Sequence, residues 1–471
     1  NDGECICSGG TFLGQLIHFT MSASETTYLT WPQIARLGLV QASLGSIVVL
    51  TTSLLNRVMV VELALPAILP GALVAIHYFI QLIRPRMGFG SDQTRRASPW
   101  IRGGILVLAS GGVLAAASTI LLSTSVGLGI ALATIAFLMI GIGVSSSGTA
   151  LLVLLAKRVE PKKKAAAATC VWLMMIFGFA FTASVSGKFL TPFSFERLLM
   201  VSTTVSVIAV IVSFLAIWGM ESPAVKTQQS LSNAGEFDSE ASLVKVSFRE
   251  AFAEVWKESR VRSFTWFVFV SMLAYSSQDL ILEPFAAVAF GFSPAETTTL
   301  SGLQNGGVLL GMLFLAFITS KAKSQTLTSL STWTIGGCLA SALAMLGLVL
   351  SGPIENVIFF KAAVFLLGIF NGAFSIAAIG SMMQFASIGS AQREGVRMGI
   401  WGASQAMAFG LGGIIGTGLS DIARIVLGDP ASAYAFVFFL EGVLFVVAAY
   451  LSFQTRAQKQ TNELSKQLVG V

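Results

Sequence analysis

The chain has 471 residues, is 54% hydrophobic and only 11% charged, and has a mean hydropathy of +0.80. A soluble globular domain carries about 25% charged residues, so this composition excludes that class and indicates a polytopic membrane protein. The net charge of +6 does not indicate nucleic-acid affinity, because the basic residues fall in the breaks between apolar runs.

A transmembrane helix needs about 20 apolar residues. Reading apolar runs against charged breaks predicts twelve spans, near 34–56, 66–83, 101–123, 126–155, 165–190, 197–219, 263–282, 295–319, 326–350, 355–386, 398–424 and 431–453. Segment 1–33 lacks the basic start and apolar core of a signal peptide and reads as an irregular surface segment. The polar stretch 220–262 divides the spans six and six. The expected organisation is an N-terminal bundle over 34–219, a linker, a C-terminal bundle over 263–453 and a tail over 454–471. Within the linker, 243–260 spaces its apolar residues at helical intervals, which predicts an amphipathic helix on the membrane surface.

The halves repeat. Pro66 precedes Pro294 by 228 residues, and Trp172 precedes Trp401 by 229, as Ser91 does Ser320. A duplicated six-helix half is the layout of the major facilitator superfamily, in which a central cavity forms between the halves. All but six of the 29 Lys and Arg fall on one side of this layout; the exceptions are Arg36, Arg57, Lys188, Arg197, Lys361 and Arg424. The positive-inside rule then puts both termini and the linker in the cytoplasm or its equivalent, such as plastid stroma.

In chain order, Asn56-Arg57-Val-Met-Val-Val-Glu62 ends the first span on the poorly charged side. Arg57 can pair with Glu62, with Glu283 or with a partner, and interfacial snorkelling explains it equally. His77, in the middle of span two, is a candidate axial ligand for a chlorophyll magnesium; the plainer reading is a hydrogen-bonded interior histidine. Arg84-Pro-Arg-Met-Gly88-Phe-Gly90-Ser-Asp92-Gln-Thr-Arg95-Arg96 joins spans two and three and resembles the superfamily's loop motif. Its glycines suggest a tight turn. Asp92 suggests a latch that accepts from a helix N-terminus or an arginine across the halves; the alternative is a merely topogenic basic loop. The second half has Lys321 where an acid would stand.

Gln278-Asp279-Leu-Ile-Leu-Glu283-Pro284-Phe285 puts two acids and a proline in or beside an apolar span. Asp279 and Glu283, four apart, share a helix face. Carboxylates at membrane depth are expensive unless paired, neutralised or facing water. Proton coupling, a magnesium porphyrin and a docked partner each fit, as does a helix end with Pro284 as terminator. In repeat register Asn56 lies 227 residues before Glu283, which places both segments at the mouth of the central cavity. Gln304, Asn305, Asn371, Gln384 and Gln405 lie within spans, where amides usually bond helix to helix. Glu441 is the acid deep in span twelve. Cys5, Cys7, Cys170 and Cys338 make no zinc spacing and no disulfide framework. No Walker loop, paired metal-ligand motif or nucleophile elbow occurs, so no enzyme is expected.

Asn56–Leu63, Arg84–Asp92, Gln278–Phe285 and Gly399-Ile-Trp-Gly-Ala-Ser-Gln-Ala406 together resemble the PucC/LhaA family. That family is the bacteriochlorophyll delivery branch of the major facilitator superfamily. The resemblance covers about 33–453, and the form of 84–104 is closer to members from oxygenic phototrophs. It implies a chlorophyll- or bacteriochlorophyll-handling protein, with carotenoid and lipid as further ligands, in a thylakoid or intracytoplasmic membrane. It also implies light-harvesting or photosystem subunits as partners, met transiently or as a permanent neighbour. A proton-coupled transporter of a small solute is the rival. Where relatives often carry an acid after span four, this chain has Lys157-Arg158. With Lys321, that is expected to weaken transporter-style latches.

Overall fold

Long apolar runs in lipid satisfy their backbone hydrogen bonds internally only as helices or closed barrels. The computed structural model describes residues 28–51, 55, 58–59, 63, 65, 68–94, 96–190, 194–221, 247–292, 294–321, 329–387 and 393–469, and these are all-α. The first half contains α1 (Trp31–Val49), α2 (Ile68–Ile80), α3 (Arg84–Thr94), α4 (Ser98–Thr124), α5 (Val126–Arg158), α6 (Lys164–Phe189) and α7 (Phe195–Ile217). A short α8 (Phe248–Lys257) leads into α9 (Ser259–Phe290), α10 (Pro294–Lys321), α11 (Leu330–Ile354), α12 (Val357–Ala386), α13 (Glu394–Leu427) and α14 (Pro430–Val469).

Among the described residues, nine helices are long and apolar enough to cross a membrane. They cover predicted spans three to six and eight to twelve. Span seven lies in α9, whose Arg260, Arg262, Asp279 and Glu283 dilute its apolar character; spans one and two lie partly in α1 and α2. In the first half α4 packs on α5 and α7, and α1 on α6 and α7. In the second, α9 packs on α13 and α14, and α12 on α10 and α11. The halves meet where α2, α3 and α5 touch α13, and where α6 touches α10 and α12.

The structure refines the sequence reading at four places. Arg84–Thr94 is helix, not a glycine turn. Its glycines serve close approach: a β-carbon on Gly88 would overlap the Gly395 carbonyl, and one on Gly90 would overlap the Trp100 ring. Pro284 does not terminate its helix; α9 runs through it and ends at Gly291, whose φ of 68° is the left-handed cap glycine tolerates. The tail is helical as far as Val469, as a continuation of α14. In the linker, α8 begins with a Ser247/Glu250 capping box. Its apolar face packs on protein, with Ala251 and Val255 buried and Phe248 edge-on to Phe89 at 5.6 Å.

Candidate functional site

The N-terminus of α13 explains why the halves join. A helix start leaves backbone N–H groups without partners. The residue at the cap position is Arg393, whose side chain has no acceptor to offer. Asp92, from α3 in the other half, supplies the acceptor. Its Oδ2 takes the Gly395 N–H at 2.8 Å and the Val396 N–H at 3.2 Å, and its Oδ1 lies 2.9 Å from the same Gly395 nitrogen. An anion at this end also complements the helix dipole.

Lys157, at the end of α5, bridges the acids, 3.2 Å from Asp92 and 3.5 Å from Glu394. This overturns the expectation that Lys157 weakens the latch: here the cation balances two carboxylates. Burial pushes the Asp92 carboxyl above the usual carboxylate range; Lys157 and the α13 N–H groups pull it back only in part.

Close backbone approach makes these bonds possible. A β-carbon on Gly395 would overlap the Gly88 carbonyl, and one on Gly399 would lie 2.5 Å from the Pro85 Cα. Gly395-Val-Arg-Met-Gly399 is a small-residue pair at the spacing that lets membrane helices approach. Arg397 on the same turn is fully buried and donates from Nε to Glu258 at 3.2 Å and from Nη1 to the Ala386 carbonyl at 3.2 Å. A second contact across the halves lies nearby. The Lys164 ammonium donates to the Met383 carbonyl and the Ser387 hydroxyl, both at 2.9 Å, at the C-terminal end of α12.

Inward from the clasp, Arg84, Gln81 and His77 continue the α3–α2 face that carries Gly88 and Asp92. Arg84 donates to the Gln81 side-chain oxygen, Oε1. Since a guanidinium only donates, the Gln81 amide nitrogen must face His77, 3.0 Å from Nε2. That engages the lone pair a magnesium would need on Nε2. His77 is 3% exposed, and its Nδ1 has no hydrogen-bond partner.

The other sequence-derived candidates are dispersed or lie outside the described residues. Asn56, Arg57, Glu62 and Arg95 are outside them, as are Cys5, Cys7 and the side chains of Asp279 and Lys321. Arg86 is exposed, with its guanidinium 6.0 Å from the centre of the Phe248 ring; Arg96 is exposed too. Gln278 is fully buried with both amide atoms unpaired, Glu283 is half-buried and Pro284 is exposed. Asn371 accepts from Ser341 at 2.8 Å, and Glu441 is 2% exposed. Cys170 and Cys338 are free thiols.

A separate feature is an apolar groove of about 600 Å³ between α1, α6 and α7. Phe177 and Phe181 stack at 5.8 Å along it, and they and Phe189 are more than half exposed.

The clasp residues that sequence reading passed over are Lys164, Gly395, Glu394, Arg397 and Glu258. One signal was available: Arg393 offers α13 no side-chain cap. The same holds for α4, where Ala97 stands at the cap position and Glu221 accepts from the Ala97 and Ser98 N–H groups at 2.7 and 3.1 Å.

A family model described as PUCC protein matches residues 54–459. The chain belongs to the PUCC family. One relative, the "Bacteriochlorophyll synthase 44.5 kDa chain" of Rhodobacter capsulatus, is 47% identical over 424 residues, covering 90% of this chain and 95% of the relative. "Protein PucC" of Rhodovulum sulfidophilum is 27% identical, covering 89% and 91%. The leaning toward oxygenic phototrophs gains no support from these relatives. A bacterial homologue of the iron transporter ferroportin, solved in an outward-facing state, superposes with a TM-score of 0.69 at 10% identity, covering 90% of this chain and 99% of that one. The proton:xylose symporter XylE superposes with a TM-score of 0.65 at 14% identity, covering 90% and 94%. These likenesses give this PUCC-family membrane protein the major facilitator fold.

Proposed function

We propose that this protein handles chlorophyll or bacteriochlorophyll in a photosynthetic membrane and docks antenna or photosystem subunits during or after their assembly. The apolar groove between α1, α6 and α7 is the observation that carries the reading. A flat macrocycle stacks on aromatic faces, and the exposed Phe177, Phe181 and Phe189 offer such faces along a membrane-depth groove. The names of the relatives support the pigment class. The features found here bind and hold rather than transform, so the proposed role is not enzymatic. Carotenoid and lipid tails suit the same groove, and the basic loops support an orientation with both termini on their side of the membrane.

Gentle purification from a photosynthetic membrane, followed by an absorption spectrum and identification of co-purifying subunits, tests this. Bound chlorophyll or an antenna partner is expected. A pigment-free protein that associates with neither antenna nor photosystem sinks the reading. A proton-coupled carrier is the second reading, favoured by the clasp that joins the halves at one end; solute uptake into proteoliposomes that is lost in Glu283→Gln would establish it.

A further inference from the structure

Arg84 is a cation at the seam between the halves. Among the described residues no carboxylate pairs with it. Gln81 accepts one of its N–H groups, and its Nε is enclosed with no acceptor. A guanidinium that keeps only partial exposure and has no counter-ion is unfavourable. The ions of the clasp are paired, Asp92 and Glu394 with Lys157 and Glu258 with Arg397, and Lys164, which has no carboxylate, spends its N–H groups on a carbonyl and a hydroxyl. The sequence also makes room for this guanidinium, since a β-carbon on Gly402 would lie 2.8 Å from Arg84 Nη1.

The surroundings define what could complete it. Inward of Arg84 the seam is aromatic and is built by both halves. Tyr78 from α2 stacks on Phe409 from α13 at 6.3 Å and 15°, and Phe409 meets Tyr275 from α9 at 6.2 Å. Arg84, Tyr78, Tyr275, Gln405 and Phe409 all keep partial exposure although they lie between the halves, so the seam is not packed shut there. A guanidinium matches a carboxylate in a two-point fork, while ring faces take a flat conjugated body. Among the described residues the titratable group that acts on the Arg84 guanidinium is Tyr78, not a second Lys or Arg, which suits a single carboxylate better than a phosphate headgroup.

We propose that the seam binds a flat, conjugated acid, with Arg84 gripping its carboxylate and Tyr78, Phe409 and Tyr275 facing its ring system. The proposal rests on the pigment-handling reading, and on it the ligand is a tetrapyrrole in its free-acid form, before esterification. The Gln81–His77 relay holds the guanidinium in place, which makes Gln81 a positioning residue.

The experiment uses the full chain in nanodiscs of zwitterionic lipid. Chlorophyllide a and its methyl ester are titrated against tryptophan fluorescence. The acid is expected to bind at least about tenfold tighter than the ester, the range of one charged hydrogen bond. Arg84→Gln should bring that ratio to about one, with Arg84→Lys between the two. Equal binding of acid and ester to the unaltered protein overturns this proposal and leaves the pigment reading standing; binding of neither overturns both. An unchanged ratio in Arg84→Gln, or in Arg84→Lys if the glutamine variant fails to fold, also overturns it. Displacement of the acid by phosphatidylglycerol, without acid–ester discrimination, assigns Arg84 to a lipid headgroup instead.

Discussion

Among the described residues two polar joints tie the halves at the basic end, and they are made in opposite ways. In the repeat register, the start of α6 corresponds to the start of α13. The α13 start receives an anion from the other half, Asp92, and is surrounded by Lys157, Glu394 and three glycines in near backbone contact. The α6 start sends out a cation, Lys164, which satisfies a carbonyl and a hydroxyl at the end of α12. Both complement a helix dipole. Only the first depends on a network of charges and on the absence of side chains. Duplication gave both joints the same position, and divergence gave them different chemistry and different fragility.

The largest expected effect comes from filling the glycine contact. Gly88→Val sets a side chain against the Gly395 carbonyl, where only backbone can yield, and should cost about 3 kcal/mol or more. Unfolding in mixed micelles measures it, and maleimide labelling of a cysteine placed at buried Ser91 should rise in parallel.

Asp92→Ala comes next. It strands the Gly395 and Val396 N–H groups and leaves Lys157 with Glu394 alone, at about 2 kcal/mol. Asp92→Asn should cost clearly less, because the amide oxygen still accepts and burial already disfavours the charge. If the two substitutions prove equal, the contribution is ionic rather than a cap.

Lys164→Met tests the other joint alone and should cost about 1 kcal/mol; a larger loss than Asp92→Ala would reverse the ranking of the joints. Lys157→Ala should cost only about 0.5 kcal/mol, because its side chain is 32% exposed.

The smallest effect is a pH dependence. The folded protein binds the Asp92 proton more tightly than the unfolded chain, so this group favours folding as pH falls. The gain begins at the raised folded value and is complete below the ordinary 3.8. The Asp92→Asn variant should lack that component of the unfolding–pH curve.

Hydropathy and charge placement made the all-helical class and the two halves legible in the sequence, and left Asp92 as an acceptor for either a helix terminus or an arginine across the halves. Those signals are local: apolar runs, basic breaks, an acid in a glycine-rich segment. The partners of Asp92 were not legible, because Lys157 and Gly395 lie 65 and 303 residues away and nothing in their own segments announces the contact. Gly88 and Gly90 were misread for a related reason. Glycine marks both turns and close helix crossings, and only the position of α13 separates the two. Of the alternatives open for Pro284, the terminator fails because a proline breaks an isolated pattern more readily than a long helix held by its neighbours: the adjacent Phe285 is fully buried against Phe360 and Phe438.

The short linker helix α8 touches both sides of the clasp. Its Phe248 ring rests on Phe89 of α3, and its Glu254 pairs with Arg393, one residue before α13, at 3.2 Å. It is therefore a handle attached to bolt and socket at once. A protein that grasped this helix from the aqueous side could pull on the joint between the halves without entering the membrane.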